Sequence, residues 1–425
     1  MDIVRRLSGP LYRNSLLLMA NTAVTAGLGF IFWMVVARLY TEAEVGLGAA
    51  IISAMSLLAL LSRLGLDVAL VRFMPKADKP VDMINSAFTI SALAAVIAAA
   101  IFIAGIQLWS PAFHFVRANT LFSIAFVVFT VFWALSWMMD FVFIARRRAD
   151  YTVWKNTIYS ILKVPLPVLL VLHFHAFGIV SSWGLAIGFA LVLSVILFLP
   201  RVQNRYKPAL KLNLDIMKGI WRYSLGNYFA SLFGTAPVLI LPVLVVNLCG
   251  AEQNAYFYVA WAVATLLFAI PVAVAQSLLV EGSHFEDELR SNVHKSFRII
   301  LLLLIPAMVS LYLLARWLLL AFGSGYSANG EALLQVLTLS GIFVGINCIY
   351  HSVLRVEHRI TELIALSVFS AATVLGGSYF IMPHTGIVGI GYAWIVAQAA
   401  TSTYAAIRMR PFYRRRQHQI GPVLK

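Results

Sequence analysis

Cysteine is scarce: Cys249 and Cys348 are the only two in 425 residues, and both lie in or at the edge of apolar stretches. They can build neither a disulfide framework nor a cysteine metal cluster. Acidic residues are also few, 17 against 32 lysines and arginines, and they are dispersed along the chain. No carboxylate pair stands ready for glycosyl transfer or hydrolysis, and no large polar loop is present to hold one. A GxxxxGK[ST] loop and a dinucleotide fingerprint are both missing, which excludes an ATP-hydrolysing site within the chain. There is no HExxH, and His173 and His175, two residues apart, point to different faces of a helix. The expectation is a chain with no cofactor, no metal and no enzymatic activity.

What is abundant is hydrocarbon. Hydrophobic residues make up 61% and charged residues 12% of the sequence, with a mean hydropathy of +0.88. A soluble domain of this length needs far more polar surface. A helix crosses a hydrocarbon layer roughly 30 Å thick with about 20 apolar residues. Twelve runs of about that length can be bounded by charge, proline and glycine: 14–37, 44–66, 84–108, 119–144, 156–173, 178–199, 222–248, 254–280, 296–321, 331–354, 361–382 and 386–407. None alternates with the period of two that a membrane β-barrel requires. The fold class expected is an all-α polytopic membrane protein of about 12 transmembrane helices.

The net charge of +15 does not point to nucleic acid, because the cations sit in alternate loops rather than on one face. Only Arg38 and Arg117 fall in loops on the side opposite the N-terminus; Arg222 and Arg298, at the first residues of their runs, count with the loops of the N-terminal side, and Arg63, Lys163 and Arg316 lie within spans. This bias places both termini in the cytoplasm of a multi-pass protein of the cell (inner) membrane. The longest loop, 201–221, is basic and separates an N-terminal lobe of six helices (1–200) from a C-terminal lobe (222–407), with a basic tail at 408–425. Tyr12-Arg13-Asn14-Ser15-Leu16 opens the first run, and Trp221-Arg222-Tyr223-Ser224-Leu225 opens the seventh in a faint echo. Six helices per lobe would relate the two by an axis along the membrane normal.

Charges inside a membrane are costly and point to a lined cavity. Lys163 is the most informative, standing beside Pro165 and Pro167, which remove backbone donors and bend a helix. A cation at a broken helix is suited to meeting a phosphate in the membrane. Arg63, Asp140 and Arg316 lie nearer the ends of their runs, where snorkelling competes with a cavity role; Asp140 could also pair toward Arg146–Arg148. Gln276, Glu281, Asn347 and His351 are further polar groups within the runs, and such groups commonly bridge helices.

Several stretches resemble a known family. Asn14-Ser15 leads into a run ending Ala37-Arg38-Leu39-Tyr40-Thr41, followed by Glu44-Val45-Gly46; the second run closes with Gly65-Leu66-Asp67-Val68-Ala69-Leu70-Val71-Arg72-Phe73-Met74-Pro75. Gln276-Ser277-Leu278-Leu279-Val280-Glu281-Gly282-Ser283 resembles that family's corresponding element in the second half. Together these resemble the polysaccharide (Wzx-like) flippases of the multidrug/oligosaccharidyl-lipid/polysaccharide (MOP) exporter superfamily. The resemblance implies two lobes around a cavity that opens alternately to either side. It also implies a polyprenyl-(pyro)phosphate-linked oligosaccharide as substrate, carried to the outer leaflet for surface glycan assembly. The implied partners are the lipid-linked glycan, membrane lipids and glycan polymerase or assembly proteins, with no nucleic acid. Cavity cations meet the pyrophosphate in that family, which assigns this role to Lys163, Arg63 and Arg316. Asp140, Gln276, Glu281, Asn347 and His351 are then candidates for ion coupling or for the polar lining.

Two departures narrow the substrate. The lipid II branch carries an Arg-Asp pair after a Gly-Phe in its first helix, whereas Gly29-Phe30 is followed here by the apolar Ile31-Phe32-Trp33-Met34. The multidrug branch places acidic coupling residues in that helix, and the run 14–37 has none. The alternatives that remain are a cation-coupled exporter of small amphiphiles and a non-transporting scaffold of a glycan-assembly complex.

Overall fold

The computed structural model describes residues 10–284 and 289–414, and every regular element in them is helical. The end of the basic tail, from 415 on, lies outside the described residues. All twelve apolar runs fold as helix, as expected for backbone that must satisfy its own hydrogen bonds in lipid. Among the described residues nine helices are long and apolar enough to cross a membrane, or ten when one bent pair counts as a single span.

In chain order the main helices are α1 (Pro10–Leu39), α2 (Glu42–Ser62), α3 (Leu66–Phe73), α4 (Pro80–Ala104), α5 (Thr120–Ala145), α6 (Ala149–Lys163) and α7 (Leu166–Leu193). They continue with α8 (Leu214–Cys249), α9 (Ala251–His284), α10 (Leu289–Leu320), α11 (Ser324–Leu339), α12 (Gly341–Val356), α13 (Ile360–Thr385) and α14 (Val388–Arg414).

The expectation of twelve spans changes at three places, each with a local cause. The run 156–173 is shared between α6 and the start of α7, because the chain turns at Val164-Pro165. A second break follows within α7 at His175, whose φ of 45° and ψ of −137° leave the helical region. The run 331–354 is the bent pair α11–α12, turned by 44° at Ser340. The run 386–407 is α14, whose Gln398, Thr401, Ser402 and Thr403 make it less apolar than the other spans.

The chain forms two compact units, Met1–Val259 with Ala321–Tyr326, and Ala260–Leu320 with Ser327–Lys425. In the first, α2 is the buried centre: 83% of its apolar window is covered, against 17% for α1. Its sequence explains this, since Gly46, Gly48, Ala49, Ala50 and Ala54 let neighbouring backbones come close. α5, α7 and α8 all pack on it, while α1 packs on α6. At one end Leu66, Leu70, Met74, Ile84, Met138, Val142, Phe143 and Leu199 form a continuous core. Helix α8, expected to open the C-terminal lobe, packs on α2 and α3 within the first unit. In the second unit α12 is surrounded by α10, α13 and α14.

Candidate functional site

A cavity of about 420 Å³ opens inside the first unit, and helical periodicity explains its lining. Residues four apart share a helix face. From α1 come Asn21, Thr25, Gly29 and Trp33, each four residues after the last. From α6 come Lys155, Asn156, Tyr159 and Lys163; from α5, Trp133, Ser136, Trp137 and Asp140; and from α7, Trp183 and Ile187. Four helices thus each turn a partly polar stripe inward, with tryptophan on three of them.

Lys163 is the last residue of α6, just before the turn at Val164-Pro165, and is 3% exposed. Its Nζ lies 4.5 Å from the Trp183 ring, 4.7 Å from Tyr159 and 5.4 Å from Phe32. Gly29 leaves room on the α1 side, since a Cβ there would approach Nζ to 3.9 Å. No carboxylate pairs with this ammonium among the described residues. Three ring faces provide a modest hold, about 0.5–2 kcal/mol for a cation–π contact. The proline-bent helix end, legible in the sequence, therefore delivers a cation to a cavity and leaves its charge uncompensated.

Lys155 is treated differently. Its Nζ donates to Asp140 Oδ2 at 2.9 Å, to the Ser136 carbonyl at 2.7 Å and to Ser136 Oγ at 2.8 Å, so all three donors are satisfied. At 1% exposure it is among the most buried charged side chains of the described residues. Asp140 does not pair with the 146–148 arginines, as its position in the sequence allowed; α6 begins seven residues before its apolar run and brings Lys155 to it. Asp140 also interacts with the Asn156 side chain, and the Trp183 indole Nε1 is buried without a hydrogen-bond partner. Asn156 Nδ2 donates to Asn21 Oδ1 at 3.1 Å and ties α6 to α1 across the lining.

Arg63 stands behind this wall. It pairs with Asp67 at 2.7 Å where α2 gives way to the turn at Leu64 and Gly65, and its guanidinium lies 4.4 Å over the Trp137 ring. Trp137 separates it from the cavity. The other expected residues belong to the second unit. Arg316 is exposed on α10 and does not line this cavity, and Gln276 and Glu281 are exposed on α9. Asn347 bridges helices: Nδ2 donates to Gln398 Oε1 at 2.7 Å, and Oδ1 accepts from Ser402 Oγ at 3.0 Å. His351 Nε2 is buried without a partner.

Of the residues singled out in the sequence, Lys163 and Asp140 line this cavity; Lys155 and the aromatic wall line it as well and were not among them. The missed signal was present, in the four-residue spacing Asn21, Thr25, Gly29, Trp33 and again in Lys155, Tyr159, Lys163. Lys155 directly precedes its apolar run, where position alone groups it with the cations of the loop.

Residues 35–329 match the family model described as polysaccharide biosynthesis protein. No curated protein matches the sequence. Several solved structures share the fold. The lipid II flippase MurJ in an inward closed conformation superposes with a TM-score of 0.77 at 12% identity, covering 92% of this chain and 87% of that one. An inward-facing multidrug resistance MATE family transporter of the MOP superfamily gives 0.68 at 15% identity, covering 92% and 96%. A MOP superfamily transporter from Pyrococcus furiosus, described as having a binding pocket of reverse polarity, gives 0.63 at 14%, covering 95% and 96%. With more than half its length matched by the family model and the helices arranged as in these transporters, the chain belongs to the polysaccharide biosynthesis protein family and has the MOP superfamily fold.

Proposed function

We propose that this protein is a flippase that moves a polyprenyl-(pyro)phosphate-linked oligosaccharide from the cytoplasmic to the outer leaflet of the cell membrane by alternating access. The observation that carries the reading is Lys163, a buried ammonium facing a cavity with no carboxylate to neutralise it. Lys155 and Asp140 pair with each other, which leaves Lys163 as the basic group in the lining without an acidic partner. A phosphate ester offers the complement. Exchanging aromatic faces for phosphate oxygens gives Lys163 charge-assisted hydrogen bonds of about 1.5–3 kcal/mol each. No covalent bond need form or break; the headgroup crosses in the cavity while the prenyl chain stays in the bilayer. The cation-coupled exporter of small amphiphiles calls for an acidic cavity, and the one carboxylate lining this cavity is already paired.

The energy source is open to the same assay that tests the function. In liposomes holding the purified protein, a fluorescent polyprenyl-pyrophosphate sugar should cross between leaflets. Lys163→Ala should slow this by about tenfold or more at equal protein abundance, and Lys163→Arg should retain part of the rate. Unchanged translocation in Lys163→Ala would remove that residue from the site. A wild-type protein that moved no such lipid, with an ion gradient or without, would end the flippase reading.

A further inference from the structure

We infer that the segment joining α7 to α8, residues 201–213, is a lipid-binding strap. Leu210 and Leu212 enter the bilayer interface, and Arg201, Arg205 and Lys207 take the phosphates of anionic phospholipids beside them. None of these residues lines the cavity, so the inference does not depend on what the cavity carries.

The first observation is how the segment is held. Asp82, Asn85, Ser86 and Thr89, spaced by three and four residues, form one polar face over the first turns of α4. Tyr206 Oη donates to Asn85 Oδ1 at 3.0 Å, and Asn85 Nδ2 donates to the Lys207 carbonyl at 2.9 Å. The Lys211 N–H donates to Thr89 Oγ1 at 3.3 Å, and the Asn213 N–H donates to Ser86 Oγ at 3.1 Å. Just before these, Gln203 accepts from Arg146 at the end of α5. Residues 206–213 have no regular secondary structure, so their backbone groups take partners from α4 instead. The segment is strapped to α4 and is not a free tether.

The second observation is depth. Asp82 is the last charge before the apolar run 84–108, and Thr89 lies two helical turns further on. At 1.5 Å per residue that is about 10 Å along α4. A headgroup layer is roughly 5–8 Å deep on each side of the hydrocarbon, so the strap reaches the boundary between headgroups and acyl chains. Lys211 joins the two levels. Its backbone sits at Thr89, while its Nζ reaches back to Asp82 Oδ2 at 2.7 Å, which is the snorkelling expected of a lysine at such a boundary. Alternate residues of an extended chain face opposite ways. With Lys211 turned to α4, Leu210 and Leu212 are turned outward, and they are 94% and 56% exposed.

The third observation is charge. Arg201, Arg205 and Lys207 are exposed, fall within seven residues, and have no ion pair among the described residues. Cations at headgroup level attract anionic lipids, and apolar side chains beside them add the burial of hydrocarbon. An anionic phospholipid meets both features, with phosphate at the cations and acyl chain at the leucines. A free phosphate would leave the leucines uncovered. A soluble protein would have to reach leucines that already lie at the membrane boundary.

The test has two arms, both on the full chain. With Cys249 and Cys348 replaced by serine, spin labels are placed at Leu210→Cys and Leu212→Cys, with the exposed Asn204→Cys as the aqueous reference. In liposomes of phosphatidylcholine and phosphatidylglycerol, the ratio of collisions with oxygen to collisions with a water-soluble nickel chelate should be about threefold or more higher at 210 and 212 than at 204. Equal ratios at all three positions would overturn the strap. So would leucine-site labels that are open to water in liposomes and protected only in native membranes, because a protein would then be the occupant. In the second arm, native mass spectrometry compares the phosphatidylglycerol and phosphatidylcholine retained by the purified protein. The wild type should favour phosphatidylglycerol, and the triple variant Arg201→Gln, Arg205→Gln, Lys207→Gln should lower that preference by about threefold or more. Equal retention of the two lipids by the wild type would overturn the phosphate site without any variant having to fold, and an unchanged preference in the triple variant would do the same. No readout here involves transport, so these failures leave the flippase reading standing.

Discussion

Lys155 and Lys163 sit eight residues apart on one helix face, yet their surroundings ask opposite things of them. Lys155 has a full set of acceptors, including Asp140, at 1% exposure. Breaking a buried pair by removing one partner costs about 3–5 kcal/mol, because the surviving charge has no water to return to. Lys155→Ala should therefore lower the thermal midpoint of the detergent-solubilised protein clearly. Adding Asp140→Asn should recover much of the loss, because the uncompensated carboxylate is then gone. A Lys155→Ala midpoint equal to wild type would mean that the pair does not hold α5 to α6. Lys163→Ala should leave the midpoint nearly unchanged and fall short in translocation, since no protein carboxylate loses a partner.

At the scale of helices, close approach decides more than propensity does. Gly46 lies in the first turns of α2, and a Cβ there would come within 1.7 Å of the Ala251 carbonyl oxygen at the start of α9. Asn254 Nδ2 donates to the Gly46 carbonyl at 2.7 Å and locks the same contact. Alanine is normally the better helix residue by about 1 kcal/mol, so propensity alone would make Gly46→Ala stabilising. The backbone contact predicts the reverse, a loss of about 1–3 kcal/mol from overpacking. Thermal unfolding of Gly46→Ala decides between them, and a raised midpoint would refute the close contact. Glycine in the Glu44-Val45-Gly46 signature was legible as a motif, but the carbonyl it accommodates lies 205 residues away in sequence. The break after Lys163 was legible because proline acts locally. The break at His175 falls in the gap between two apolar runs, so its place could be read though its dihedral angles could not.

For the molecule as a whole, the lysine and arginine bias proposes that both termini face the cytoplasm. Two well-exposed positions test this, Leu108 at 84% exposure at the end of the third apolar run and Leu210 at 94% in the longest loop, assigned to opposite sides. With Cys249 and Cys348 replaced by serine, Leu108→Cys should react with a membrane-impermeant maleimide applied to intact cells. Leu210→Cys should react only after the membrane is opened. The opposite pattern would invert the orientation and with it the direction of transport proposed here.

The sequence by itself determined the membrane class, the helical form of all twelve apolar runs, the bend beside Lys163 and the resemblance that the family match later carried. These depend on composition and on neighbours within a few residues, and hydrocarbon leaves the backbone few alternatives to helix. Only the tertiary structure decided which polar groups meet. Asp140 finds Lys155 rather than the arginines beyond its helix, Arg63 is screened from the cavity by Trp137, and Arg316 stands exposed in another unit. Four helices had to be rotated about their axes before stripes spaced by four residues could face one another, and that rotation is set by packing between residues far apart in the chain.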